Sequence, residues 1–205
     1  MKAKDFDFRP ADFITQAFRL SLNPWDCFLG LNIVRSQHAF FPPGSYVWST
    51  HCFVALGDGR LAECTFPHIR IAPVSVLHSH SFRVYRYRHY DFAADEGAVT
   101  YLNSLAESYN GTHYDWLHLL GYLVQEAVGI GRPEAVDFCR MIGLGKEKLV
   151  CSTYANTLHR KLREYVDNVS MRKLPKLFGG LPVELTMPAH FDNAPDDLEK
   201  IAVLS

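Results

Sequence analysis

No run in this 205-residue chain approaches the roughly 20 apolar residues that a membrane-crossing helix requires. The first ten residues, Met1 to Pro10, lack an uninterrupted apolar stretch, and acids enter early at Asp5 and Asp7, so no secretory signal is expected. Charge of one sign is also lacking: 21 basic side chains face 22 acidic ones, a formal net charge of −1. That balance excludes a broad electrostatic grip on nucleic acid and leaves room only for a local patch. Cysteine is sparse and unpatterned. The five residues Cys27, Cys52, Cys64, Cys139 and Cys151 are odd in number and show neither disulfide-framework nor metal-site spacing. The expectation is unpaired thiols in a reducing compartment, in a cytoplasmic chain. Internal repeats and low-complexity segments are absent.

What is present is the balance of an ordinary soluble globular protein, 48% apolar and 21% charged, long enough for one domain or at most two small ones. With 14 Phe, 10 Tyr and 3 Trp, the core or a binding groove is ring-rich. Apolar positions from Ala11 to Leu22 recur with a helical period, and Pro24 ends them. Trp25 to Arg35 reads as a strand or short helix, and Pro42-Pro43-Gly44 as a loop. From Ser45 the pattern turns to strands: 45–56, a turn at Gly57-Asp58-Gly59, then 60–66, 68–72 and 81–90. Helices follow: one capped by Asp95 and running to Tyr109, then 114–128, 134–141, and Cys151 to about Val166. A β-meander followed by helices is an α+β arrangement rather than alternating βαβ. The expected organisation is a single domain over 1–205, with 1–44 an N-terminal extension of unassigned role and 167–205 a loop-rich tail.

Two segments carry chemistry. In Lys148-Leu149-Val150-Cys151-Ser152-Thr153-Tyr154-Ala155 a cysteine stands at the first turn of the last long helix. There the unpaired N–H groups and the helix dipole favour its thiolate. Cys151, Ala155, Leu158 and Leu162 form one apolar stripe, so the thiol begins the face turned to the fold. The bland reading is a buried structural cysteine. His51 opens the strand His51-Cys52-Phe53-Val54-Ala55-Leu56, with Phe53 and Ala55 on its face. Glu63 joins that face in one hairpin register only. A three-residue loop, Gly57-Asp58-Gly59, pairs Leu56 with Arg60, Phe53 with Glu63 and His51 with Thr65, placing Glu63 diagonal to His51 at roughly 7–8 Å between backbones. A loop of Asp58-Gly59 alone points Glu63 to the other face. An imidazole activates a thiol, a carboxylate fixes the imidazole, and helix N–H groups receive a developing oxyanion.

Trp48-Ser49-Thr50-His51-Cys52-Phe53, then Leu61-Ala62-Glu63-Cys64-Thr65 and Ile69-Arg70-Ile71-Ala72-Pro73, resemble three strands of a known enzyme family. Gly111-Thr112-His113-Tyr114-Asp115 resembles that family's G-x-x-Y-D segment, and Lys148-Leu149-Val150-Cys151-Ser152 its K-x-x-C-S nucleophile helix. The family is the permuted papain-like one, YiiX/YebB-like enzymes related to NlpC-type peptidases and lecithin–retinol acyltransferase; permutation places the histidine strand before the cysteine helix. The likeness spans roughly Tyr46 to Arg163. It implies a circularly permuted papain-like fold, an antiparallel sheet or barrel packed on helices, with Cys151 as nucleophile, His51 as general base and Glu63 as the orienting third group. Tyr114 and Trp48 would contact substrate, with no metal and no cofactor. Thr50 stands where the family usually has serine, and Cys52 and Cys64 adjoin the implied catalytic residues.

The expected function is therefore a cysteine hydrolase, an amidase, peptidase or thiol-dependent esterase, acting through an acyl-thioester. The alternatives are an acyltransferase with the same site and a non-catalytic binding or structural module. Substrates within reach are peptides, lipids and acyl amides or esters; no nucleic-acid partner is expected. Three further patterns compete. Trp25-Asp26-Cys27-Phe28-Leu29-Gly30 echoes an unpermuted nucleophile motif, but Cys27 lies only 24 residues before His51. His78-Ser79-His80 would put two imidazoles on one strand face, without an evident third metal ligand. The basic and apolar alternation of Arg83-Val84-Tyr85-Arg86-Tyr87-Arg88 suits either an anionic partner or an edge strand shielded by arginines.

Overall fold

The computed structural model describes residues 2, 5–20, 23–77, 81–114, 149–183 and 186–205. Six antiparallel strands form one open sheet: β1 (Phe13–Ala17), β2 (Ser49–Gly57), β3 (Arg60–Cys64), β4 (Ile69–Pro73), β5 (Phe82–Tyr87) and β6 (Leu198–Leu204). Their order across the sheet is β4-β3-β2-β1-β5-β6. Among the described residues four α-helices accompany them: α1 (Pro24–Phe40), α2 (Glu96–Tyr109), α3 (Cys151–Ser170) and α4 (Pro188–Asp192). The α+β class stands. The expected helices over 114–128 and 134–141 lie, from residue 115 on, outside the described residues, as does His78-Ser79-His80.

The period-two alternation of the strands sorts the core into two layers. Cys52, Val54, Leu56, Ala62, Cys64, Tyr85 and Tyr87 face α2 and α3, where Ala98, Leu102, Ala155, Leu158 and Leu162 meet them. Ile14, Phe53, Ala55, Leu61, Phe82, Val84 and Leu204 face the other way, partly covered by Phe6, Phe8, Val74 and Val76. The stripe expected on α3 is buried as expected, at Cys151, Ala155, Leu158 and Leu162. Asp95 caps α2 by accepting from the Ala98 N–H, and Asn110 ends that helix.

Three expectations need correction. Residues 13–17 form a strand, not a helix. β1 is a central strand with apolar contacts on both faces, Phe13 on one and Ile14 on the other, so its sequence shows no alternation of polar and apolar residues. Residues 1–44 are accordingly no appendage, because they supply the strand between β2 and β5. Of the two readings open for Trp25 to Arg35, strand or short helix, the helix is the one found, within the 17 residues of α1. The tail is more than loop: its last strand, β6, pairs with β5 and forms the sheet edge. β5 is therefore interior, and its arginines are engaged within the molecule. Arg86 donates from Nε and NH2 to the buried Asp12 carboxylate at 2.8 and 2.9 Å. Arg83 lies over the Tyr46 ring and 3.7 Å from Asp192.

Candidate active site

The site begins with the turn between β2 and β3. Asp58 and Gly59 both adopt positive φ, 53° and 68°, the two-residue hairpin geometry in which Asp-Gly is favoured. Gly57 pairs with Arg60, yet beyond it Ala55 pairs with Leu61, Val54 with Ala62 and Phe53 with Glu63. The register shifts between Ala55 and Gly57, so Leu56 is the extra residue of a bulge. The short loop and the bulge together yield the Phe53–Glu63 pairing that a three-residue loop was expected to give. Without the bulge, position 63 would have met Val54 and faced the other layer.

Glu63 thus joins the face of His51, and His51 Nε2 lies 3.4 Å from Glu63 Oε2. Arg70, directly across from Glu63 on β4, donates from Nε to Glu63 Oε1 at 2.5 Å. The Glu63 side chain is 5% exposed, while that of His51 keeps 20%. Burial would raise the Glu63 pKa, but the hydrogen bonds and charges of His51 and Arg70 outweigh it and hold the carboxyl below its usual value.

The third group arrives from α3. Pairing of β2 with β3 ends at Phe53 and Glu63, so Cys52 and His51 lie beyond it, and the first residue of α3 comes to this end. Cys151 is buried there, close enough for both to act on its thiol. Its thiol pKa falls well below the ordinary value. The Cys52 thiol contributes most by donating to the sulfur; burial opposes the shift, and the His51 imidazolium and the Cys52 backbone N–H reinforce it. For His51, burial pulls the pKa down, but the Cys151 thiolate and then Glu63 outweigh it and carry the value up to about 9. Nε2 faces Glu63, which leaves Nδ1 as the ring nitrogen that can meet the thiol. Cys52 moves the opposite way from Cys151: burial, then the neighbouring thiolate, keep its own proton on.

The start of α3 is held from several sides. Thr153 Oγ1 accepts from the Val150 N–H at 2.9 Å, and Ser152 Oγ donates to the Thr186 carbonyl at 2.6 Å. The first-turn N–H groups of a helix have no intrahelical acceptor, which makes this end a ready receptor for negative charge. A narrow cleft of about 40 Å³ opens at the thiol. Its lining includes Ile33, Gln37, Thr50, Tyr114, Val150 and Met187, besides Cys151 itself.

Cys151, His51 and Glu63 are therefore neighbours, and Tyr114 is in the cleft wall. Trp48 is half-exposed and packs edge-on near His38, and the cleft lining does not include it. Cys27 sits in the opening turn of α1, and the thiol that acts on His51 is that of Cys151. Two contributors escaped the sequence reading: Arg70, whose basic character on the Glu63 face was legible once the β3–β4 pairing was known, and Cys52, whose place beside His51 gave no sign of contact with α3. No family model matches the chain, and no curated protein matches it.

Proposed function

We propose that the protein is a cysteine hydrolase that cleaves an amide or ester through an acyl-thioester on Cys151. One observation carries the reading: a buried thiol of depressed pKa beside an imidazole whose pKa is raised to about 9 and whose other side meets the Glu63 carboxylate at 3.4 Å. At neutral pH that pairing is a thiolate–imidazolium couple, the activated state such chemistry requires.

In the acylation half, Cys151 Sγ attacks the carbonyl carbon and the first-turn N–H groups of α3 receive the oxyanion. His51 gives its proton to the departing amine or alkoxide as the carbon–heteroatom bond breaks. In the second half His51 takes a proton from water, which attacks the thioester, and the acid leaves as the thiolate returns. Glu63 keeps the imidazole oriented and favours its charged form, and Arg70 holds Glu63.

p-Nitrophenyl acetate tests the reading. The expected result is a burst of nitrophenol with acetyl recovered by mass spectrometry on Cys151, abolished in Cys151→Ala and slowed by about 10²–10⁴ in His51→Ala. Equal, slow acetylation of all five cysteines would refute an activated thiol and favour a binding module on the same fold.

A further inference from the structure

A larger cavity lies away from the thiol. It has a volume of about 380 Å³, within the roughly 300–1,000 Å³ typical of small-molecule sites. The second half of α3 forms one wall through Asn156, His159, Arg160, Arg163 and Glu164, and the segment from Lys176 to Val183 forms another. Its lining therefore carries three cations, Arg160, Arg163 and Lys176, against the single carboxylate of Glu164. His159 adds no charge: burial, helped by the Arg163 guanidinium, drives its pKa down to about 3.

Arg163 is the built part of this cavity, with a side chain only 10% exposed. Its NH1 donates to Asp167 Oδ2 at 2.9 Å and to the Leu174 carbonyl at 3.4 Å, while NH2 stands 3.9 Å from Glu164, beyond hydrogen-bond range. A guanidinium has five N–H donors, so Nε and NH2 keep theirs unaccepted among the described residues. Asp167 is committed elsewhere too, accepting from the Leu174 N–H at 2.8 Å. The side chains of Arg160 and Lys176 make no ion pair or hydrogen bond among the described residues. A fixed fork of donors beside two uncommitted cations suits a tetrahedral oxyanion.

We infer that this cavity is a binding site for a small phosphomonoester, its phosphate held by Arg163, Arg160 and Lys176 and its organic body filling the remaining volume. The site is independent of the thiol. Arg160 follows Cys151 by nine residues, roughly 13 Å along the helix axis. Between the two openings Thr186 bridges the helix, accepting from Ser152 through its carbonyl and from Asn156 Nδ2 through its hydroxyl at 2.7 Å. The phosphate ligand is thus a second ligand of the molecule and does not need to be the acyl substrate.

Calorimetric titration and thermal unfolding of the full chain test this with phenyl phosphate and inorganic phosphate, against potassium chloride at matched ionic strength. Phenyl phosphate is expected to raise Tm above the chloride control and above inorganic phosphate, equally in wild type and Cys151→Ala. The double variant Arg160→Gln/Lys176→Gln should bind at least tenfold more weakly, and the single variant Lys176→Gln less tightly than wild type if the double variant fails to fold. Both side chains lie on the exterior of the core, so folding is checked simply by circular dichroism. A response no larger than that to chloride overturns the site. Undiminished binding in the variants overturns it as well, and equal affinity for both phosphates overturns the ester in favour of the free ion.

Discussion

At the scale of single residues the proposed chemistry rests on opposite fates for two neighbouring cysteines. Cys52 keeps its proton and donates it toward Cys151, which surrenders its own. Removing the donor in Cys52→Ala should move the alkylation midpoint of Cys151 to higher pH, while Cys52→Ser, which retains an O–H donor, should move it less. Iodoacetamide labelling resolved by mass spectrometry across pH reads both midpoints. The proposed hydrolysis should follow a bell in pH. Its acid limb marks the loss of the thiolate, below the ordinary thiol range near 8.5. Its alkaline limb falls through about 9, where His51 loses the proton it must deliver to the leaving group. The two midpoints belong to the coupled pair rather than to either residue alone. Glu63→Gln should pull the alkaline limb down toward the ordinary histidine value, because a neutral amide gives the imidazolium less support. A limb unmoved by that change would remove Glu63 from the site.

At the scale of elements, α3 both packs the core and carries the proposed nucleophile at its first residue. Leu158 is fully buried one turn after Ala155, facing β2 and β3. Leu158→Ala should cost about 2–5 kcal/mol, read as a lower denaturation midpoint with an unchanged slope. The helix was legible because its apolar stripe repeats at four, three and four residues, although Ser152, Thr153, Asn156, Thr157 and His159 on its other sides are buried as well. The strand β1 was not, for the opposite reason: Thr15, buried between layers, is satisfied by donating to Asp192 at 2.9 Å, a partner 177 residues away. No local pattern announces such a bond. Position 51 in a strand and position 151 at a helix start were readable locally, and so were the two possible hairpin registers. The bulge that decides between them was not, because Leu56 looks like any other apolar strand residue.

At the scale of the molecule the chain closes on itself through buried carboxylates from distant segments. Asp192 on α4 accepts from Thr15 of β1 and, at 2.7 Å, from the Tyr85 hydroxyl of β5, while Asp12 takes both nitrogens offered by Arg86. These contacts enlist residues 186–205 in the fold, although proline and glycine make the approach to them read as loop. Loss of residues 198–204 would uncover the β5 edge, and the expected outcome is self-association on size-exclusion chromatography. Acid should weaken the protein partly through Glu63. Its folded-state pKa is depressed, so its contribution is present above the ordinary carboxylate value and is lost as pH falls through the folded one. Asp192 works in the other direction, since burial raises its pKa and its ionisation detracts from stability as pH rises. Glu63→Gln should therefore flatten the acid side of the Tm–pH curve, whereas Asp192→Asn should flatten it at higher pH.

The bulge at Leu56 has a consequence for how this sequence can change over time. Leu56 is the one residue of the turn without a partner across the hairpin, so its deletion would remove the bulge and still leave Phe53 opposite Glu63, with the carboxylate beside the imidazole. A change that straightened the bulge at constant length would instead slide Val54 opposite Glu63 and turn the carboxylate to the other layer. Relatives that keep the proposed site should therefore tolerate a turn one residue shorter, whereas a hairpin of the same length without the bulge would mark a lineage that retained the scaffold and lost the site.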